Sequence, residues 1–77
     1  MTWTELTPEQ QGQRREEIHR VLLQEGERTQ IAIMHRLALD FSTVGSALDA
    51  MVASGAVTRT IDRGVVFYAA VPRRAAQ

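Results

Sequence analysis

Residues 29–71 read TQIAIMHRLALDFSTVGSALDAMVASGAVTRTIDRGVVFYAAV, and the spacing inside this stretch decides the fold. Thr29 is placed to cap a short helix of about eight residues whose apolar positions are Ile31, Ile33, Met34 and Leu37. A sharp turn is expected at Ala38 and Leu39. Asp40 then caps a further helix in which Val44, Leu48, Met51 and Val52 keep the helical period, and Gly55 is a natural stop. Beyond it, Ala56 to Ile61 and Val65 to Val71 are rich in β-branched residues. Asp62, Arg63 and Gly64 separate them, the pattern of a β-hairpin with glycine in its turn. Pro72 ends the second strand.

Upstream, Thr7, Pro8 and Gln10 spell a helix start. The threonine caps, proline occupies the first helical position where its missing N–H costs nothing, and Gln10 stands three residues after the cap. This helix is expected from Pro8 to Glu25, with Ile18, Val21 and Leu22 as its stripe, Leu23 beside it and Gly26 as its stop. The chain therefore divides into an N-terminal arm (1–7), a compact domain of three helices and a hairpin (8–71) and a basic tail (72–77). The fold class is mainly α with one β-hairpin.

Seventy-seven residues with a formal charge of zero permit one small domain. A barrel enzyme or a nucleotide-binding domain does not fit in this length. The chain has nine Arg, no Lys and no Cys, so disulfides, thiol nucleophiles and thiolate metal sites are excluded. No apolar run is long enough for a membrane span and no secretory signal is visible, so a cytoplasmic protein is expected. The neutral total hides an asymmetry: the first 27 residues are acidic on balance, whereas the last third carries Arg59, Arg63, Arg73 and Arg74 against Asp62 alone.

From Thr29 through Val71 the chain resembles the winged helix-turn-helix family, particularly its small bacterial regulators. Leu37 to Val44 looks like the family's turn into its recognition helix. Leu48, Met51, Gly55, Val57 and Arg59 look like that helix running into the first wing strand. The resemblance implies that the third helix enters the major groove of duplex DNA and that wing arginines touch phosphate or minor groove. It also implies a transcriptional regulator working as a homodimer on two half-sites.

Taken residue by residue, the third helix is expected to turn Ser42, Thr43, Ser46, Asp49, Ala50 and Ala53 outward at 100° per residue. The one charge among them is acidic, so bidentate purine readout by arginine is excluded from this helix. Ser42, Thr43 and Ser46 remain as hydrogen-bonding candidates. Gly45 sits mid-helix, where it costs about 1 kcal/mol relative to Ala. Cationic charge toward DNA must come from Arg36, Arg59, Arg63 and the Arg73–Arg74 pair. Four phosphate contacts give a log-log salt slope of roughly −3 to −4. Arg59 and Arg63 equally suit a ribbon kept soluble and unpaired by charge.

A second reading stays open at this stage. Asp49, Ala50 and Ala53 suit close approach by another protein better than approach to a polyanion, and Trp3 and Leu6, ahead of the first helix, pack either on this core or, as dimer contacts, on a second chain. On this reading the domain is a charge-neutral protein-interaction module, a dimeric adaptor or a mobile-element inhibitor of a host complex. No catalysis, metal or cofactor is expected: His19 and His35 stand on separate helices without acids at ligand spacing, and neither a nucleophile elbow nor a glycine-rich phosphate loop occurs. Arg14, Arg15, Glu16 and Glu17 read as a solvated helix face, with Glu16 and Arg20 one turn apart.

Overall fold

The structure is a computed structural model and describes residues 2–73. A 3₁₀ turn at Trp3–Glu5 precedes α1 (Pro8–Glu25), α2 (Gln30–Leu37) and α3 (Phe41–Ser54), and the chain ends in an antiparallel hairpin of β1 (Val57–Asp62) and β2 (Val65–Ala70). Three helices followed by a two-stranded ribbon is winged helix-turn-helix topology, mainly helical, as the spacing predicts.

Each helix starts where its cap lies. Thr7 Oγ1 accepts from the Gln10 N–H at 3.1 Å, while the Gln10 side chain accepts from the Thr7 N–H at 2.9 Å, a reciprocal capping box. Thr29 caps α2 through the Ala32 N–H, and Asp40 caps α3 through the Thr43 N–H at 3.0 Å. Between α2 and α3 the backbone of Ala38 is left-handed (φ 55°, ψ 41°), and both Ala38 and Leu39 donate to the Met34 carbonyl. This ties two successive N–H groups to one carbonyl at the end of α2 and turns the chain within two residues.

The core gathers Ile18 and Leu22 from α1, Ile33 from α2, Val44, Ala47, Leu48 and Met51 from α3, Val57 from β1 and Tyr68 from β2. Ala47 is fully buried, so the buried stripe of α3 is centred nearer its N-terminal half than the large residues alone suggest. Thr43, one turn earlier on the same side, is consequently turned in. The expectation of an outward Thr43 is corrected: it is 2% exposed, beside Leu6 and Leu39, with its hydroxyl donated to Asp40 Oδ1 at 2.7 Å. Ile31 departs in the opposite direction. Counted as an apolar position of α2, it is 55% exposed, and Ile33 takes the centre of the interface.

The arm is part of this core. Leu6 is only 8% exposed and Trp3 is half-buried against the core, so of the two alternatives Leu6 takes the intrachain one. Trp3 is held by its own chain too, because Gln11 Nε2 donates to the Trp3 carbonyl and the Arg15 guanidinium lies 5.9 Å from its ring centroid. At the other end, buried His19 donates from Nε2 to the Val71 carbonyl at 3.0 Å, and Arg73 pairs with Glu16. Arg74, the other basic residue of the tail, lies outside the described residues.

Hairpin register runs from Val57 opposite Ala70 to Asp62 opposite Val65. Arg63 (φ 53°) and Gly64 (φ 80°) make the turn, both left-handed as a type I′ connection requires. One contact escaped the sequence reading. Arg28 and Tyr68 exchange two backbone hydrogen bonds, 2.8 and 3.0 Å, so a single residue before α2 acts as a third strand on the free side of β2. No strand pattern announces it, because only Glu27 and Arg28 separate Gly26 from the Thr29 cap.

Candidate nucleic-acid interface

β1 leaves the end of α3 and runs back alongside it. Two contacts define this path. Midway, Arg59 Nη2 donates to Asp49 Oδ1 at 2.8 Å. At the far end, Gly64 and Val65 of the hairpin turn share a shallow groove of about 390 Å³ with Phe41, the first residue of α3, and with Gln30 and Ile31, the first residues of α2. The two helix starts and the hairpin tip thus meet at one edge of the molecule, and the ribbon flanks α3 from Gly55 to its first turn.

Along that face Ser42, Asp49 and Ala53 are exposed, while Ser46 and Ala50 are half-buried. The hydroxyls are not equally free. Ser42 Oγ donates to Asp40 Oδ2 at 2.7 Å, leaving its lone pairs for an incoming donor. Hydrogen bonds from Ser42 Oγ, Thr43 Oγ1 and the Thr43 N–H hold the Asp40 carboxyl down at about 2, against an ordinary 3.8. The start of α3 is therefore an anionic cap at neutral pH. Ser46 makes no side-chain hydrogen bond among the described residues.

Of the cations named from sequence, Arg36 donates from Nε to Glu25 Oε2 at 2.8 Å and Arg59 is held by Asp49. Arg73 is held by Glu16, which lies below the ordinary carboxylate range chiefly because of that hydrogen bond. Arg63 differs. Exposed at the tip, one residue before the Gly64 that lines the groove with the starts of α2 and α3, it makes no hydrogen bond or ion pair among the described residues.

Sequence reasoning missed the apolar character of the same edge. Ile31 is 55% exposed, Phe41 51% and Val65 46%. Phe41 follows the cap, where its side chain precedes the buried stripe, and that position was legible as exposed. Among the described residues no group of three His, Cys, Asp or Glu comes together, and no helix is long and apolar enough to cross a membrane.

Compared with protein families, with curated proteins and with solved structures, the chain finds no match.

Proposed function

We propose that this chain is a small transcriptional regulator of the winged helix-turn-helix kind that binds duplex DNA in the cytoplasm. In this reading α3 lies in the major groove and the ribbon reaches the flanking phosphates. One observation carries it. The hairpin runs back along α3 and brings its turn, where Gly64 follows the uncommitted Arg63, to the groove at Phe41, the residue before Ser42. Residue 63 is held at a positive φ, a conformation that costs a non-glycine residue about 1 kcal/mol or more. An arginine accepted at such a position is a reason to look for a role in binding. The ion pair of Arg36 weighs little against the proposal. It is exposed, and an exposed pair contributes roughly 0–1 kcal/mol, which a phosphate readily replaces.

The test is fluorescence anisotropy with a labelled random-sequence duplex at low salt. Wild type binds, and Arg63→Ala weakens binding to every duplex while reducing the log-log salt slope by about 0.9. Ser42→Ala and Ser46→Ala change the preference among sequences instead. No binding by wild type at low salt refutes the proposal.

A second reading, recognition of a protein, is favoured by the groove of Ile31, Phe41 and Val65, since an aromatic and two aliphatic residues with a polar rim is the composition of a protein contact. Under it, Phe41→Ser, Ala50→Arg or Ala53→Glu abolishes complex formation with a protein partner while leaving the fold intact. Unchanged association removes this alternative.

A further inference from the structure

Arg59 is fixed from two sides. Its guanidinium lies 5.6 Å from the centroid of the Tyr68 ring, and Nη2 donates to Asp49. The platform beneath it is buried: Tyr68 stands opposite Arg59 in the hairpin register and exchanges both its backbone hydrogen bonds with Arg28 on the other side. The carboxylate above it is exposed. Asp49 has a side chain 71% exposed and sits in the middle of the outward face of α3, whereas Arg59 is 41% exposed. A carboxylate and a phosphate satisfy a guanidinium by the same charge-assisted geometry, so a phosphate that takes Arg59 Nη2 must displace Asp49.

We propose that Asp49 is a specificity-determining residue that suppresses sequence-independent DNA binding by competing with phosphate for Arg59. This rests on the DNA-binding reading above. The aromatic stack holds Arg59 at the boundary between α3 and the ribbon, where a backbone phosphate flanking the helix passes. Asp49 occupies that arginine in the free protein, and in the complex its own charge repels the same phosphate. Both effects penalise contacts that carry no sequence information, and neither touches base readout by Ser42 or Ser46. The binding that survives depends more heavily on bases.

The experiment compares wild type, Asp49→Asn and Asp49→Asn/Arg59→Ala on a random-sequence duplex between about 50 and 200 mM salt, with circular dichroism to verify the fold. Asp49→Asn binds more tightly at low salt, and its log-log slope is steeper by about 0.9, one additional phosphate neutralised. Its advantage over wild type therefore shrinks about 3.5-fold across that range. Adding Arg59→Ala removes the gain. Three outcomes overturn the proposal. If Asp49→Asn leaves affinity and slope unchanged while Arg63→Ala still weakens binding, the competition is absent and the DNA reading stands. If the gain survives Arg59→Ala, Asp49 acts by repulsion alone. If neither wild type nor Asp49→Asn binds any duplex, both readings fall together.

Discussion

Gln30, the first residue of α2, reaches across to α3 and donates from Nε2 to the Phe41 carbonyl at 3.0 Å, lying so close over Gly45 that a Cβ there would stand 2.6 Å from the amide nitrogen. This contact explains a glycine in the middle of a helix. Gly45→Ala gains about 1 kcal/mol of helix propensity, but it displaces Gln30 and forfeits a hydrogen bond worth about 0.5–1.5 kcal/mol. The Phe41 carbonyl keeps its helical partner either way. The single substitution is therefore expected to leave stability within about 0.5 kcal/mol of wild type. In a Gln30→Ala background, where nothing overlies the position, Gly45→Ala stabilises by about 1 kcal/mol. Urea unfolding of the four proteins checks this, and equal effects in both backgrounds refute the steric account.

The Asp40 carboxyl titrates at about 2 rather than 3.8 because Ser42 and Thr43 donate to its charged form. A carboxyl depressed by folding stabilises the native state above its unfolded value, near 4, and that contribution disappears as pH falls from about 4 toward 2. Asparagine caps a helix without titrating. Thermal melts of wild type and Asp40→Asn from pH 6 to pH 2 should therefore show wild type losing ground to the variant only in the acid interval. A melting-temperature difference that stays constant throughout contradicts the assignment.

Most of this architecture was legible because local signals and the hydrophobic period agree: Thr7, Thr29 and Asp40 each cap the helix they announce, and Gly26, Gly55 and Gly64 fall at its ends or in the turn. What the sequence hid depends on contacts distant along the chain. Thr43 is turned outward when the helical angle is set by Val44, Leu48, Met51 and Val52 alone. Its burial follows from the placement of Leu6 against the start of α3 and from the small Ala47 setting the centre of the buried stripe. The pairing of Arg59 with Asp49 needs the exact path of β1 along α3, and no spacing rule joins residues ten apart across a helix end and a strand. Ser42 and Arg63 are exposed and Ser46 is half-buried, because helical and hairpin geometry alone fix them.

Leu6 packs inside its own chain, which separates folding from association. Leu6→Ala is expected to cost about 2 kcal/mol, the low end for a buried leucine because the site lies at the edge of the core. The loss should be independent of protein concentration, since nothing from a second chain is removed with it. Denaturant titrations over a roughly hundredfold concentration range measure this. A cost that vanishes on dilution would return Leu6 to an intermolecular contact.

Arg63 sets stability against binding. The first position of a type I′ turn favours Asn or Asp, which tolerate positive φ, and an arginine there at φ 53° carries a strain of about 1 kcal/mol. Arg63→Asn relieves the strain while removing the one cation at the tip that is uncommitted among the described residues. The variant is expected to be more stable than wild type by up to about 1 kcal/mol, and to bind duplex DNA more weakly with a salt slope shallower by about 0.9. Opposite signs for the two quantities are the signature of a residue kept for contact. A variant that gains stability and binds DNA as wild type does would leave Arg63 as turn filler, and would move the search for the phosphate contacts to Arg59.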